Sequence, residues 1–379
     1  MKHQKYFIEI LLKQIFFVAL FSITYILFYN QVFNNYPSDF SAHISFINGI
    51  ISGKYYISHT LFHYLTYYVS VIFGIDIKLA ATLVAASLVT GLAIIVYRIL
   101  LLNIFQKNIS FILFLVFLIT FSGNFYLPGL NLTKHHYIGN GSISVWHNVT
   151  LLMVKPLALL SFFLLFNSLE TNQKSSLLIS GLIALISIYA KPSFIVMFLP
   201  TVFMLMLYVE WNKYKNGFCI FHYLVILSTL TSIILYGMFA NTYIDKESAV
   251  IFAPFQVWNL YSNNIPISIL IGNLFVISFI VLGFKFLSLT SWFSILMLII
   301  SIFMFALFAE SGPRFNHGNF SWSYCIAQPI AYLFVIIDFV NNYAKLNFWQ
   351  QNILNLALSL HLIGGIYYFI KIFNGLSYF

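Results

Sequence analysis

Long apolar runs separated by short polar breaks recur from one end of this chain to the other. An α-helix rises 1.5 Å per residue, so about 20 apolar residues cover the ~30 Å hydrocarbon core of a bilayer. Runs of this kind lie near 13–33, 79–101, 109–127, 149–168, 176–190, 193–209, 218–240, 266–285, 290–309, 323–340 and 350–371. The pattern predicts an all-α polytopic membrane protein with eleven transmembrane helices. The run 176–190 is short, and Ala190-Lys191-Pro192-Ser193 divides it from the next. Proline there stops or kinks a helix. A β-barrel would instead show short alternating strands.

The segment 60–75 has a different character. It is short and carries His63, Thr66 and three tyrosines, which reads as an interfacial or re-entrant helix. All of 34–78 then stays on one side. Within it, two surface helices are expected, over 38–52 and 59–75. Phe40, Ile44, Ile47 and Ile51 recur at helical spacing on the first, a stripe expected to lie on lipid.

Sidedness does not follow from charge, because Lys and Arg divide almost evenly in either arrangement. Loop length decides. The links 102–108, 169–175, 210–217, 286–289 and 341–349 are short and fall on the N-terminal side. The long segments 34–78, 128–148, 241–265 and 310–322 fall on the other. Functional loops gather on one face of a rigid scaffold. The long loops are therefore placed outside and the N-terminus, with Lys2, Lys5 and Lys13, inside. No small-residue cleavage site follows the first run, which reads as a retained helix. The whole of 1–379 reads as a single transmembrane domain, without internal repeat, linker or soluble module.

Composition narrows the chemistry. Hydrophobic residues make up 61% of the 379, charged residues 7%, and mean hydropathy is +0.92. The net charge is +9, but the basic residues are scattered, which excludes a nucleic-acid surface and suits anionic or phosphate-bearing lipids. Cys219 and Cys325 show neither zinc spacing nor a disulfide framework.

Only nine residues are Asp or Glu, so an acid just past the first span stands out. Asp39 and His43 are four apart, which places them on one face of a helix. His59 and His63 repeat that spacing. A carboxylate among imidazoles suits a general base, with the histidines orienting it or binding phosphate. In the loop before the fourth span, Trp146 suits an interface belt, and His147 and Asn148 cap the helix start. Lys155 lies about two turns into that span, where it either snorkels to the surface or binds phosphate as a point charge. The loop Phe308–Trp322 holds Glu310 and Arg314, four apart. They read either as a salt bridge shaping a Gly-Pro turn or as a guanidinium clamp on phosphate oriented by Glu310.

The stretch SDFSAHISFINGIISGKYYISHTLFHYL, with SVWHNVTLLMVKP and ESGPRFNHGNFSW, resembles the GT-C superfamily of integral-membrane glycosyltransferases, in its bacterial polysaccharide-locus members. The resemblance covers mainly residues 10–160. It implies a first external loop with two juxtamembrane helices and a bacterial inner-membrane location. It also implies a polyprenyl-phosphate-linked sugar donor and a surface-glycan or lipid acceptor. The first-loop acid of such enzymes activates the acceptor or binds a divalent metal, a role that falls on Asp39. Many members carry a pair of acids there; this chain carries one. No metal-ligand set and no cofactor is evident from the residues themselves. Two other classes share the architecture. A polysaccharide polymerase usually places several arginines in large later loops, where this chain has Arg314. A transporter or flippase often shows two similar halves, which are absent here.

Overall fold

Most of the helices begin or end where an apolar run meets a cap, a glycine or a proline. The computed structural model describes residues 2–54, 59–105, 108–125, 135, 137–212, 217–241 and 249–377. The helices are α1 (Lys2–Phe33), α2 (Phe40–Ile51), α3 (Leu61–Phe73), α4 (Ile77–Asn103), α5 (Ile109–Phe121), α6 (Val149–Thr171), α7 (Lys174–Ala190) and α8 (Ser193–Trp211). They continue with α9 (Gly217–Asn241), α10 (Gln256–Tyr261), α11 (Ile265–Gly272), α12 (Leu274–Gly283), α13 (Leu289–Leu307), α14 (Ser321–Asn342) and α15 (Phe348–Phe373). Strands β1 (Val250–Phe252) and β2 (Phe308–Glu310) pair antiparallel, Val250 opposite Glu310. Side-chain caps open many of the helices: Asp76, Asn108, Asn148, Asn264, Ser288 and Asn347 each accept a backbone N–H.

Among the described residues, eight helices are long and apolar enough to cross a bilayer: α1, α4, α6, α8, α9, α13, α14 and α15. The pair α11 and α12, bent by 77°, makes a ninth if it counts as one span. Two of the eleven expected spans, α5 and α7, are shorter apolar helices. α7 has 17 residues and α5 has 13. At 1.5 Å per residue these reach roughly 25 and 20 Å, and α7 returns Lys191 to the end of the bundle where α6 begins. The helix expected over 109–127 stops at Phe121, and Ser122 is extended. Positions 126 and 127 lie outside the described residues.

The chain alternates between two ends. At one end are the short links: Asn341 Nδ2 donates to the Asn103 carbonyl at 2.8 Å, and Gln350 Nε2 to the Leu282 carbonyl at 2.9 Å. At the other are the long segments. Lys78, at the start of α4, lies 5.9 Å from the Phe33 ring, at the end of α1. Residues 34–78 thus leave and re-enter the bundle at one end. The helix expected as interfacial is α3, a 13-residue apolar helix too short to span.

The stripe on α2 is not lipid-facing as expected. Phe40 and Ile47 are buried, and Phe40 packs edge-on and tilted against Phe62 and Phe28. Aromatic pairs of this kind contribute about 0.5–1.5 kcal/mol beyond area burial. Ile51 is exposed at the end of the helix.

A second correction concerns the segment before α6. It was expected as an outer loop with Trp146 in an interface belt. Residues 137–148 are instead buried throughout, and Trp146 packs on Phe121 and Phe369. Irregular backbone inside an apolar bundle must find protein partners. Trp258 Nε1 donates to the Gly139 carbonyl at 2.7 Å, and Gln328 Nε2 reaches the Asn140 and Gly272 carbonyls. Gln328 belongs to α14, the most buried helix, so one side chain serves both this strap and the break between α11 and α12. The end of α5 crosses α15 in backbone contact: a Cβ at Gly364 or Gly365 would overlap the carbonyls of Asn124 and Phe121.

Two outcomes follow from this arrangement. Single cysteines placed at exposed Lys54 and Lys78 are expected to react with an impermeant thiol reagent from the same side, and one at Lys345 from the opposite side; split labelling of Lys54 and Lys78 would overturn it. Gly365→Val is expected to destabilise the detergent-purified protein by about 2 kcal/mol, the scale of overpacking, read as a lower melting temperature; an unchanged melting temperature would overturn the contact.

Candidate active site at the loop end of the bundle

Asp39 is the N-cap of α2 in a right-handed helical conformation, and its carbonyl accepts the His43 N–H at 3.1 Å, so the two stand one turn apart as expected. Its side chain makes no cap bond to α2. The Asp39 N–H donates to the His147 carbonyl at 3.0 Å, and Asp39 Oδ2 accepts from Asn148 Nδ2 at 2.7 Å. The first loop is thereby tied to the start of α6.

Asn148 faces two ways. Its Oδ1 caps α6 by accepting from the Leu151 N–H at 2.9 Å, and also accepts from Thr150 Oγ1 at 3.0 Å. The cap fixes the amide orientation, leaving Nδ2 for Asp39. Thr150 Oγ1 in turn accepts from Lys191 Nζ at 3.0 Å. Lys191 is the extended residue between α7 and Pro192, is buried, and lies 4.7 Å from the Trp322 ring.

Burial raises the Asp39 carboxyl above its ordinary range, while the Lys191 charge and the Asn148 bond pull it back. Burial also pushes the Lys191 ammonium down to about 8, opposed by the charges of Asp39 and Glu310. Each charge is disfavoured by desolvation and favoured by the other.

The histidines bond and perturb one another instead of the acid. His43 Nδ1 and His63 Nε2 are 3.0 Å apart, so one imidazole donates to the other across α2 and α3. Burial, then His63, His59 and Lys191, hold His43 well below its ordinary value. His63 is lowered to about 4 by burial, partly offset by the His59 backbone. His59 precedes α3 instead of sharing its face. It is lowered to about 3 by burial and by the fields of Lys191, His63 and Arg314. These imidazoles are neutral at pH 7.

The remaining expected residues lie in two directions. Deeper, His147 Nδ1 meets the Tyr368 hydroxyl at 3.0 Å, and its ring sits 4.3 Å from Tyr137. Burial and the Lys155 charge lower it to about 3. Lys155 does not snorkel: it is buried and donates to the Ile143 carbonyl at 2.7 Å. It lines a mainly apolar cleft of about 50 Å³ with Val89, Ile119, Trp146 and Ile330. Toward the surface, Glu310 ends β2 and Arg314 lies in the 3-10 turn Gly312–His317, partly exposed. Glu310 Oε2 accepts from Asn319 Nδ2 at 2.7 Å, and among the described residues no ion pair joins it to Arg314. The expected Glu310–Arg314 contact is corrected, because Asn319 occupies the carboxylate.

His43, His59 and His63 thus lie within one another's fields, Lys191 reaches His43, His59 and Asp39, and Arg314 reaches His59. Lys155 belongs to a separate, deeper layer. Sequence reasoning missed Lys191, Thr150 and Asn148 as partners of Asp39. The available signal was Lys191 itself, a cation between two apolar runs with no polar loop around it. Among the described residues, no group of three or more His, Cys, Asp and Glu side chains is arranged to hold a metal ion. Asp39 is engaged by Asn148 and the two imidazoles by each other, so this set does not fit one.

The depressed imidazoles carry a pH signature. The folded values of His63 and His147, about 4 and about 3, lie below the ordinary 6.5. Their contribution to stability is fully present above that ordinary value and is lost as pH falls toward the folded ones. Each costs about 1.4 kcal/mol per pH unit through that window. The melting temperature in detergent is expected to fall between about pH 7 and about pH 5, less steeply in His63→Gln. A flat profile would show that the rings are hydrated.

No protein-family model matches this chain, and no curated protein matches it.

Proposed function

We propose that this chain is a membrane glycosyltransferase of the GT-C type. It would move a sugar from a polyprenyl-phosphate-linked donor to a hydroxyl of a surface glycan or lipid. The observation that carries the reading is Asp39: a desolvated carboxylate held by Asn148 within the field of Lys191, at the end of the bundle where the long segments gather. The resemblance of residues 10–160 to that superfamily points the same way. On this reading the loop end faces outward from a bacterial inner membrane.

The chemistry needs a base and a cation. Asp39 takes the proton of the acceptor hydroxyl as its oxygen bonds the anomeric carbon. The bond from that carbon to the phosphate oxygen breaks, and its electrons leave with the polyprenyl phosphate. Arg314, with its planar fork of donors, neutralises that phosphate beside His59. The cleft lined by Lys155 accepts apolar chain, with its ammonium as the polar end. His43 and His63 hold α2 to α3, keeping Asp39 in place, and Glu310 shapes the turn through Asn319.

Purified protein in liposomes, given a panel of polyprenyl-phosphate-linked hexoses and host glycolipid acceptors, is expected to release free polyprenyl phosphate. Asp39→Asn should lower that rate by about 10²–10⁴, the usual contribution of a general base. Arg314→Lys should lose about 1.5–3 kcal/mol, the scale of a charge-assisted hydrogen bond. Undiminished transfer by Asp39→Asn removes the base role. Movement of intact lipid-linked sugar without phosphate release would mark a flippase.

A further inference from the structure

The path from Lys191 to Asp39 runs in one direction only. An ammonium has donors and no acceptor, so Lys191 must donate to Thr150 Oγ1. The single hydroxyl proton of Thr150 then goes to Asn148 Oδ1. That oxygen is already pinned by the Leu151 N–H, so the amide NH₂ is what Asp39 receives. Reversing any link would set two donors against each other or leave the α6 cap unmade. The buried cation orients the Thr150 hydroxyl, and the α6 cap orients the Asn148 amide in the same sense.

We infer that Lys191, through Thr150 and Asn148, is the positioning residue that keeps Asp39 an ionised acceptor, which makes the junction of α7 and α8 part of the site. The inference rests on the reading of Asp39 as the base, and it adds residues that reading does not need. The groups around Asp39 come from every neighbouring element. His43 on α2 and His63 on α3 bond each other; His59 precedes α3; His147 presents its carbonyl and gives its ring to Tyr368. All four rings are neutral at pH 7. Lys191 is the cation whose field reaches the carboxylate, and Glu310, Cys325 and the Trp322 ring face Lys191 in turn. Pro192 places it: the helix must end there, so the side chain preceding it leaves the helical path and enters the bundle.

Infrared difference spectra of the detergent-purified full chain follow the Asp39 carboxyl stretch against pH, with the band assigned by its loss in Asp39→Asn. Three variants separate charge from path. Lys191→Met removes the charge and keeps the volume, Thr150→Val keeps the charge and cuts the path, and Lys191→Arg restores charge. The Asp39 midpoint is expected to rise by about one pH unit, a tenfold change, in Lys191→Met. A smaller rise is expected in Thr150→Val, and near wild-type behaviour in Lys191→Arg. The acid limb of any transfer activity should move to higher pH in parallel. Thr150→Val preserves shape, so it reports even if Lys191→Met folds poorly. Wild-type midpoints in Thr150→Val and in folded Lys191→Met overturn the relay whatever the activity does. Shifted midpoints together with undiminished transfer by Asp39→Asn support the relay and remove the base role.

Discussion

A polar group inside an apolar bundle must meet a partner there, because no water replaces one that is missing. That constraint organises the loop end of this protein. Asp39, Asn148, Thr150 and Lys191 come from three separate stretches of chain and satisfy one another in series. None of the four would be tolerable alone at its depth. The buried lysine and the buried acid each make the other's burial affordable.

The same rule governs the irregular backbone. The described residues 137–148 lead into α6 as a buried strap, and α11 and α12 break at Asn273. Both interruptions lie against α14, where Gln328 donates to their carbonyls and Tyr324 accepts from Asn273. His361 on α15 adds a further tie, its ring contacting the Gly123 carbonyl and the Phe275 N–H. Small residues at 123, 364 and 365 let backbones approach where hydrocarbon offers helices no hydrophobic reason to associate. The loop end is therefore built on a scaffold of satisfied breaks, and the acid is held by helix termini instead of by a mobile loop.

The sequence by itself determined the elements whose causes are local. Apolar length set the long spans, Pro192 ended α7, and the shortness of 61–73 kept α3 from crossing. The scarcity of acid made Asp39 visible, and the four-residue spacing drew attention to His43, His59 and His63. Only the tertiary structure decided what those residues touch. Asp39 meets Asn148 across 109 positions, and Gln328 meets Asn140 across 188. Lys191 read as the edge of a helix break until folding turned it toward Thr150, and Glu310 read as a partner of Arg314 until Asn319 took its carboxylate. Periodicity and length report the solvent a segment sees, because each residue contributes to them on its own. A hydrogen-bond partner depends on which distant segment packs alongside, and that is a property of the assembled bundle.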